Sequence, residues 1–326
     1  MIVEEFKRFD GMHCETTATG SLLKQQGVEL TEPMLFGLGE GLSFIFWRMK
    51  AMKFPFIGGR IKPDNLTKNI CKNLNLSLSV TETNSRKKAW DNVTHYLNQG
   101  IPVGLKLDCY HLEYFSTKVH FAGHYVAIYG IDDTNAYLQD TQQQGGLVTT
   151  SLRSLELSRS EKGPMSSKNK AYTIKLGKEG FNLNIAIKNS IKNNAYEYLN
   201  PPIRNIGYKG ILKASVEIEK WFRSSKGIKD EFQTTASLME TAGTGGSLFR
   251  NLYRDFLKES YERLHIEGIN CAYTEFIEIA KLWTLVSEML YKAGDTHDIY
   301  FIKLASELLV ELSNKEKKAM ERLLVI

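Results

Sequence analysis

The chain lacks most of the features that would narrow its function quickly. Its 326 residues hold only four cysteines, Cys14, Cys71, Cys109 and Cys271, and no two of them form a C-x-x-C pair. Zinc-finger and thioredoxin spacings are thereby excluded, and free thiols in a reducing compartment are the simplest reading. The first ten residues lack the apolar segment of a secretory signal. No stretch approaches the ~20 apolar residues of a membrane span. The prominent apolar run, Leu42 to Trp47, is short, contains Ser43, and is followed by Arg48 and Lys50. A cytoplasmic chain with no membrane partner is expected. Basic residues outnumber acidic ones by only 42 to 37, and no basic stripe is interleaved with aromatics, so nucleic acid is not an expected partner either. Gly37 to Gly41 is rich in glycine, but no Lys-Ser/Thr follows it, so it is not a phosphate loop. No repeat of solenoid period is visible. No cofactor and no metal are expected.

What is present is an ordinary globular composition, 42% hydrophobic and 24% charged, on a chain long enough for one or two domains with packed cores. Ala18, Leu22 and Leu23 predict a helix over Cys14 to Gln26, ended by Gly27. Thr31-Glu32-Pro33 starts a further element, with Pro33 suited to a first helical turn. Periodicity leaves Leu42 to Trp47 open between strand and short helix. Helices are predicted over Pro63 to Leu74 and Arg86 to Asn98, and strands over Leu76 to Thr81, Pro102 to Asp108 and Tyr125 to Ile131, the last apolar enough to be buried on both faces. Asp132 to Asn135 is a turn, from which Ala136 to Asp140 returns as the second strand of a hairpin. A strand at Leu147 to Thr150, a short helix at Ser151 to Leu157, a polar loop at Ser158 to Asn169 containing Gly163-Pro164, and a strand at Ala171 to Leu176 follow. From Phe181 onward the pattern is helical, with faces such as Ala214/Ile218/Trp221/Phe222 and Leu248/Leu252/Phe256/Leu257. The fold class is therefore α+β: an N-terminal domain with a central antiparallel sheet over residues 1–177, then an all-helical domain over 178–326.

Three residues in this layout point to chemistry. Cys14 opens a helix, where unpaired N–H groups and the dipole favour a thiolate. His124 opens a strand, and Asp140 closes the antiparallel neighbour, so the hairpin brings the two together. A histidine within reach of a thiol shuttles its proton, and a carboxylate behind the histidine fixes the tautomer. Cys109, beside Asp108 and near His111, is a competing nucleophile, but it follows a strand and has no helix dipole. Cys71 and Cys271 fall in helical segments and read as structural. His13, Glu32, Glu40 and Asp108 are candidates for substrate binding. Glu40, between Gly39 and Gly41, suits a cationic amine, because glycine lets backbone approach closely.

A cysteine at a helix start, then Gly-His-Tyr-Val at 123–126, then a strand ending in Asp, resembles the papain-like fold, in particular its C39-peptidase-like branch. His13-Cys14-Glu15-Thr16-Thr17, the run from Leu30 to Gly41 (LTEPMLFGLGEG) and Gly123-His124-Tyr125 are more specifically similar to the N-terminal domain of the butirosin biosynthesis protein H family. Gly243 to Leu257 (GTGGSLFRNLYRDFL) resembles the uncharacterised helical domain that often follows it. The resemblance implies an acyltransferase of specialised-metabolite (antibiotic) biosynthesis. Such an enzyme takes an acyl or aminoacyl group from an acyl-carrier-protein thioester and gives it to a small amine-bearing acceptor. Papain-like peptidases place a Gln several residues before the cysteine to complete the oxyanion hole. Here Arg8 to His13 contain none, which favours the more reactive thioester over a peptide bond.

The expected function is thus acyl transfer through an acyl-Cys14 intermediate, with His124 and Asp140 completing a triad. A C39-like cysteine peptidase or amide hydrolase, and a non-catalytic binding protein that keeps the fold, are the alternatives. The apolar faces of the helical half also suit a homodimer.

Overall fold

The structure is a computed structural model that describes residues 1–49, 52–163 and 166–326. Lys50, and Pro164 of the expected Gly163-Pro164 turn, lie outside the described residues. In chain order the elements are α1 (Cys14–Gln25), α2 (Glu32–Leu38), β1 (Leu42–Trp47), β2 (Phe56–Arg60), α3 (Asn65–Asn73), β3 (Ser77–Thr81), α4 (Arg86–Leu97), β4 (Val103–Leu107), β5 (His124–Ile131), β6 (Asn135–Gln139), β7 (Leu147–Ser151), α5 (Leu152–Ser160), β8 (Ala171–Lys175), α6 (Leu183–Leu199), α7 (Gly207–Ser224), α8 (Ile228–Thr241), α9 (Arg250–Leu264), α10 (Glu267–Thr296) and α11 (Ile299–Leu324). They form two compact units. One comprises Met1–Leu35 and Pro63–Phe181, the other Phe36–Lys62 and Asn182–Ile326. The sequence pattern placed Phe36–Lys62 in an uninterrupted N-terminal domain, but the structure groups this segment with the helices, and the division falls inside α2.

The first unit is built on an antiparallel sheet of strand order β3-β8-β4-β5-β6-β7. Val103, Leu105 and Leu107 alternate along β4, and their buried side chains join Val126, Ile128, Leu138 and Leu155 in one apolar cluster. Fully burying each such side chain contributes ~1.5–3 kcal/mol. β5 reads as a continuous apolar strand because α1 packs against it while Val126 and Ile128 face that cluster. The hairpin register pairs Ala127 with Gln139, with a shift between Ile128 and Gly130. Its second strand therefore delivers Asp140, the residue after Gln139, to the end of β5 where His124 sits. The polar segment expected as a loop from Ser158 is shorter than its composition implied, since α5 continues to Ser160. Ser154 and Ser158 on that helix are buried.

The second unit begins with β1 and β2, an antiparallel pair of their own. Leu42 to Trp47 is thus a strand, and it alternates buried and half-buried positions. Gly37, expected in a loop, is instead inside α2. A Cβ there would fall 2.1 Å from the Phe256 ring, so only glycine fits. The C-terminal region is all helical, as the pattern predicts. Leu248 departs from the predicted α9 face: it precedes the helix, in a run from Gly245 to Phe249 in which all five φ values are positive. Left-handed backbone at Ser247, Leu248 and Phe249 is costly for side-chain-bearing residues. Arg250 holds it, donating from Nη1 to the Leu248 carbonyl at 2.8 Å. The Arg250 guanidinium is itself fully buried. It pairs with both oxygens of buried Glu316, at 2.8 Å and 2.9 Å, and lies over the Trp283 ring.

Candidate active site

Cys14 is the first residue of α1, and His13 is its N-cap in an extended conformation. The helix is buried from Glu15 to Leu23, although five of those nine residues are Glu, Thr or Ser. These polar groups are satisfied internally. Glu15 Oε1 accepts from the N–H and hydroxyl of Thr67 at the start of α3, both at 3.2 Å. Thr17 donates back to the His13 carbonyl at 2.8 Å. A helix tied down in this way presents its N-terminus in one place, and first-turn N–H groups lack intrahelical acceptors.

The segment before Cys14 is organised by Glu32. Its Oε2 accepts the Met12 N–H at 2.8 Å. Its Oε1 accepts the His13 N–H at 2.8 Å and the Thr16 hydroxyl at 2.6 Å. Burial raises the Glu32 carboxyl above its ordinary range, against the pull of these three hydrogen bonds. Gly11 completes the turn: a Cβ there would lie 2.4 Å from Thr17 Oγ1 and 3.0 Å from Glu32 Oε1.

The structure brings His124 and Asp140 to Cys14. His124 Nε2 lies 2.8 Å from Asp140 Oδ2, and Cys14 is among the groups that act on the imidazole. With Nε2 committed to the carboxylate, Nδ1 is the ring nitrogen left for the thiol. Both His124 and Asp140 are buried, while Cys14 is partly exposed. Burial disfavours the charged imidazole, but the charge and hydrogen bond of Asp140, with those of Cys14, outweigh it and hold His124 well above its usual range. Asp140 Oδ1 accepts the Thr141 N–H at 2.6 Å. Phe115 stands edge-on to the imidazole, 5.2 Å between centroids.

The other sequence candidates are engaged by the chain itself. The His13 ring is buried, with Nδ1 3.4 Å from Thr16 Oγ1. Glu32 braces the nucleophile segment. Asp108 ties both ends of the connection between β4 and β5, accepting the N–H groups of Tyr110 at 2.8 Å and Phe121 at 3.2 Å, with His120 Nδ1 at 3.3 Å. Glu40 belongs to the second unit, in left-handed backbone at φ 54°, and accepts from Asn193 of α6 at 3.0 Å. Cys109 is buried, its thiol donating to the Val119 carbonyl at 3.4 Å. Burial raises its pKa, while His124 pulls the other way. Tyr114 is the group the sequence did not reveal: its hydroxyl donates to Asp140 Oδ2 at 2.8 Å. An aromatic residue in an irregular connection carries no periodic signal that would have singled it out. Among the described residues, no helix is long and apolar enough to cross a membrane.

An antiparallel-sheet unit with a cysteine at a buried helix start beside a His–Asp pair, in a chain whose C-terminal region is all helical, defines a two-part cysteine-domain architecture. Residues 13–141 match the family model for butirosin biosynthesis protein H, N-terminal, and residues 153–323 match that for a domain of unknown function (DUF4872). The chain belongs to this family, in which an N-terminal butirosin biosynthesis protein H domain is followed by the uncharacterised helical domain. No curated protein matches it.

Proposed function

We propose that the chain is a cysteine-dependent acyltransferase that moves an acyl or aminoacyl group from a carrier-protein thioester to a small amine. The observation that carries this reading is the His124–Asp140 pair, 2.8 Å apart, with Cys14 at a helix N-terminus acting on the same imidazole. His124 takes the Cys14 proton, and Sγ attacks the thioester carbonyl. The carrier sulfur leaves and takes the proton from His124, so one thioester is exchanged for another of similar energy. The amine of the acceptor then attacks acyl-Cys14, its proton passes through His124, and the Cys14 thiol is released with an amide formed. Because Glu32 holds the N–H groups of Met12 and His13, this reading assigns the oxyanion to the first-turn N–H groups of α1, that of Cys14 among them.

The test is to incubate the protein with an acyl thioester and measure the mass of the Cys14 peptide. An acyl adduct that is absent from Cys14→Ala, and that is discharged onto an added amine, is expected. No adduct, or an equal adduct on Cys14→Ala, overturns the mechanism. Release of free acid at a rate indifferent to amines would assign the chain to the cysteine hydrolases instead.

A further inference from the structure

We propose that Tyr114 is a positioning residue for His124, acting through Asp140: its phenol anchors the carboxylate and sets how tightly that carboxylate holds the imidazole proton. This inference rests on the catalytic reading of Cys14 and His124 above.

Three donors converge on the Asp140 carboxylate. Thr141 N–H occupies Oδ1, while His124 Nε2 and the Tyr114 hydroxyl share Oδ2, each at 2.8 Å. Asp140 is 0% exposed, so no bulk water competes for these lone pairs. Its backbone is held as well, the N–H donating to the Gly146 carbonyl at 2.8 Å. A carboxylate oxygen that already accepts from a phenol attracts a second proton less strongly. The phenol and the imidazole therefore compete for the same charge, and Tyr114 tempers the raised proton affinity of His124. Burial and the Asp140 charge lift the Tyr114 hydroxyl well above its usual range, so it remains a donor throughout the working pH.

The groups that face His124 come from every side. Cys14 approaches from α1, Asp140 from the end of β6, and Tyr114, the Phe115 ring and the Cys109 thiol from the connection between β4 and β5. Among them, Tyr114 is the neutral donor bound to the oxygen that His124 uses. Its ring packs at the edge of the apolar cluster that includes Leu107, Leu112 and Val126. The hydroxyl is therefore aimed by packing, and Phe at this position keeps that packing while removing only the donor.

The experiment follows the ring nitrogens of His124 by NMR against pH in the full chain, with steady-state acyl transfer measured in parallel. In Tyr114→Phe the His124 midpoint is expected to rise by about one unit, because Asp140 has lost a competing donor. kcat is expected to fall about tenfold with KM nearly unchanged, because the carboxylate is less firmly oriented. An unchanged midpoint overturns the proposal even if activity falls, since lost packing alone would do that. Should Tyr114→Phe fail to fold, 3-fluorotyrosine at position 114 keeps the bond with a more acidic phenol and must lower the midpoint; no movement overturns the proposal. A shifted midpoint in a protein that transfers no acyl group upholds the role of Tyr114 and overturns the transfer reading instead.

Discussion

The backbone N–H of His13 lies 2.8 Å from Oε1 of Glu32, nineteen residues further along the chain. Through this bond the start of α2 sets the position of the residue just before Cys14. Glu32→Ala would strand the His13 N–H in a buried site and release Met12 and Thr16. It is expected to cost about 2–3 kcal/mol, and to slow adduct formation on Cys14. Urea unfolding and adduct kinetics measure the two effects. A Glu32 that serves only to bind substrate would raise KM and leave the unfolding midpoint in place.

The His124–Asp140 pair makes stability depend on pH with a definite sign. The folded-state pKa of His124 lies above the unfolded value near 6.5, so between the two the native state holds one proton more than the unfolded chain. The pair's contribution is full below about 6.5 and is lost as pH rises through the folded value. Thermal unfolding in small pH steps should show this decline, and Asp140→Asn should flatten it. An equal slope in both proteins would mean that the pair is not coupled to folding.

The thiols should separate by reactivity. Burial pushes Cys71 up to about 12 and raises Cys109 as well, and both are buried. With limiting iodoacetamide at neutral pH, peptide mapping is expected to find Cys14 modified well before either of them. Labelling of Cys109 ahead of Cys14 would make Cys109 the nucleophile to test.

In the second unit Glu316 receives Arg250, Trp283 Nε1 at 2.6 Å and the Tyr198 hydroxyl, all within the core. Glu316→Ala would leave the Arg250 charge buried with no counter-ion, a loss of about 3–5 kcal/mol. Replacing Arg250 and Glu316 together with Met and Leu removes the charge along with its partner but strands the Trp283 and Tyr198 donors and the Leu248 carbonyl, so its cost should come from those groups, at about 1–3 kcal/mol for each left unpaired. Chemical denaturation of the single and double variants measures the difference. A single variant as stable as the native protein would show that the ion pair does not hold this core.

Hydrophobic periodicity and turn chemistry in the sequence sufficed for α1, the β5–β6 hairpin and the helical C-terminal region. Their signals are local: a 3.6-residue stripe, a two-residue alternation, and an Asp-Asp-Thr-Asn turn. The same locality made Cys14, His124 and Asp140 legible as candidates, since each sits at the end of an element whose direction follows from pattern alone. It could not reach β2, which the sequence reading did not foresee and which pairs with β1 in the second unit. Nor could it foresee the left-handed run at 245–249, where Arg250 overrides local preference.

The sequence by itself determined the class of the chain, the order of most of its elements and the residue types at the site. Tertiary structure decided which carboxylate pairs with His124. Glu32 and Asp108 turned inward to satisfy backbone N–H groups that burial had cut off from water, Glu40 fell into the other unit, and Tyr114 came to share an Asp140 oxygen with His124. The physical reason is that a buried donor must find an acceptor, and the acceptor it finds is fixed by packing between segments far apart in the chain.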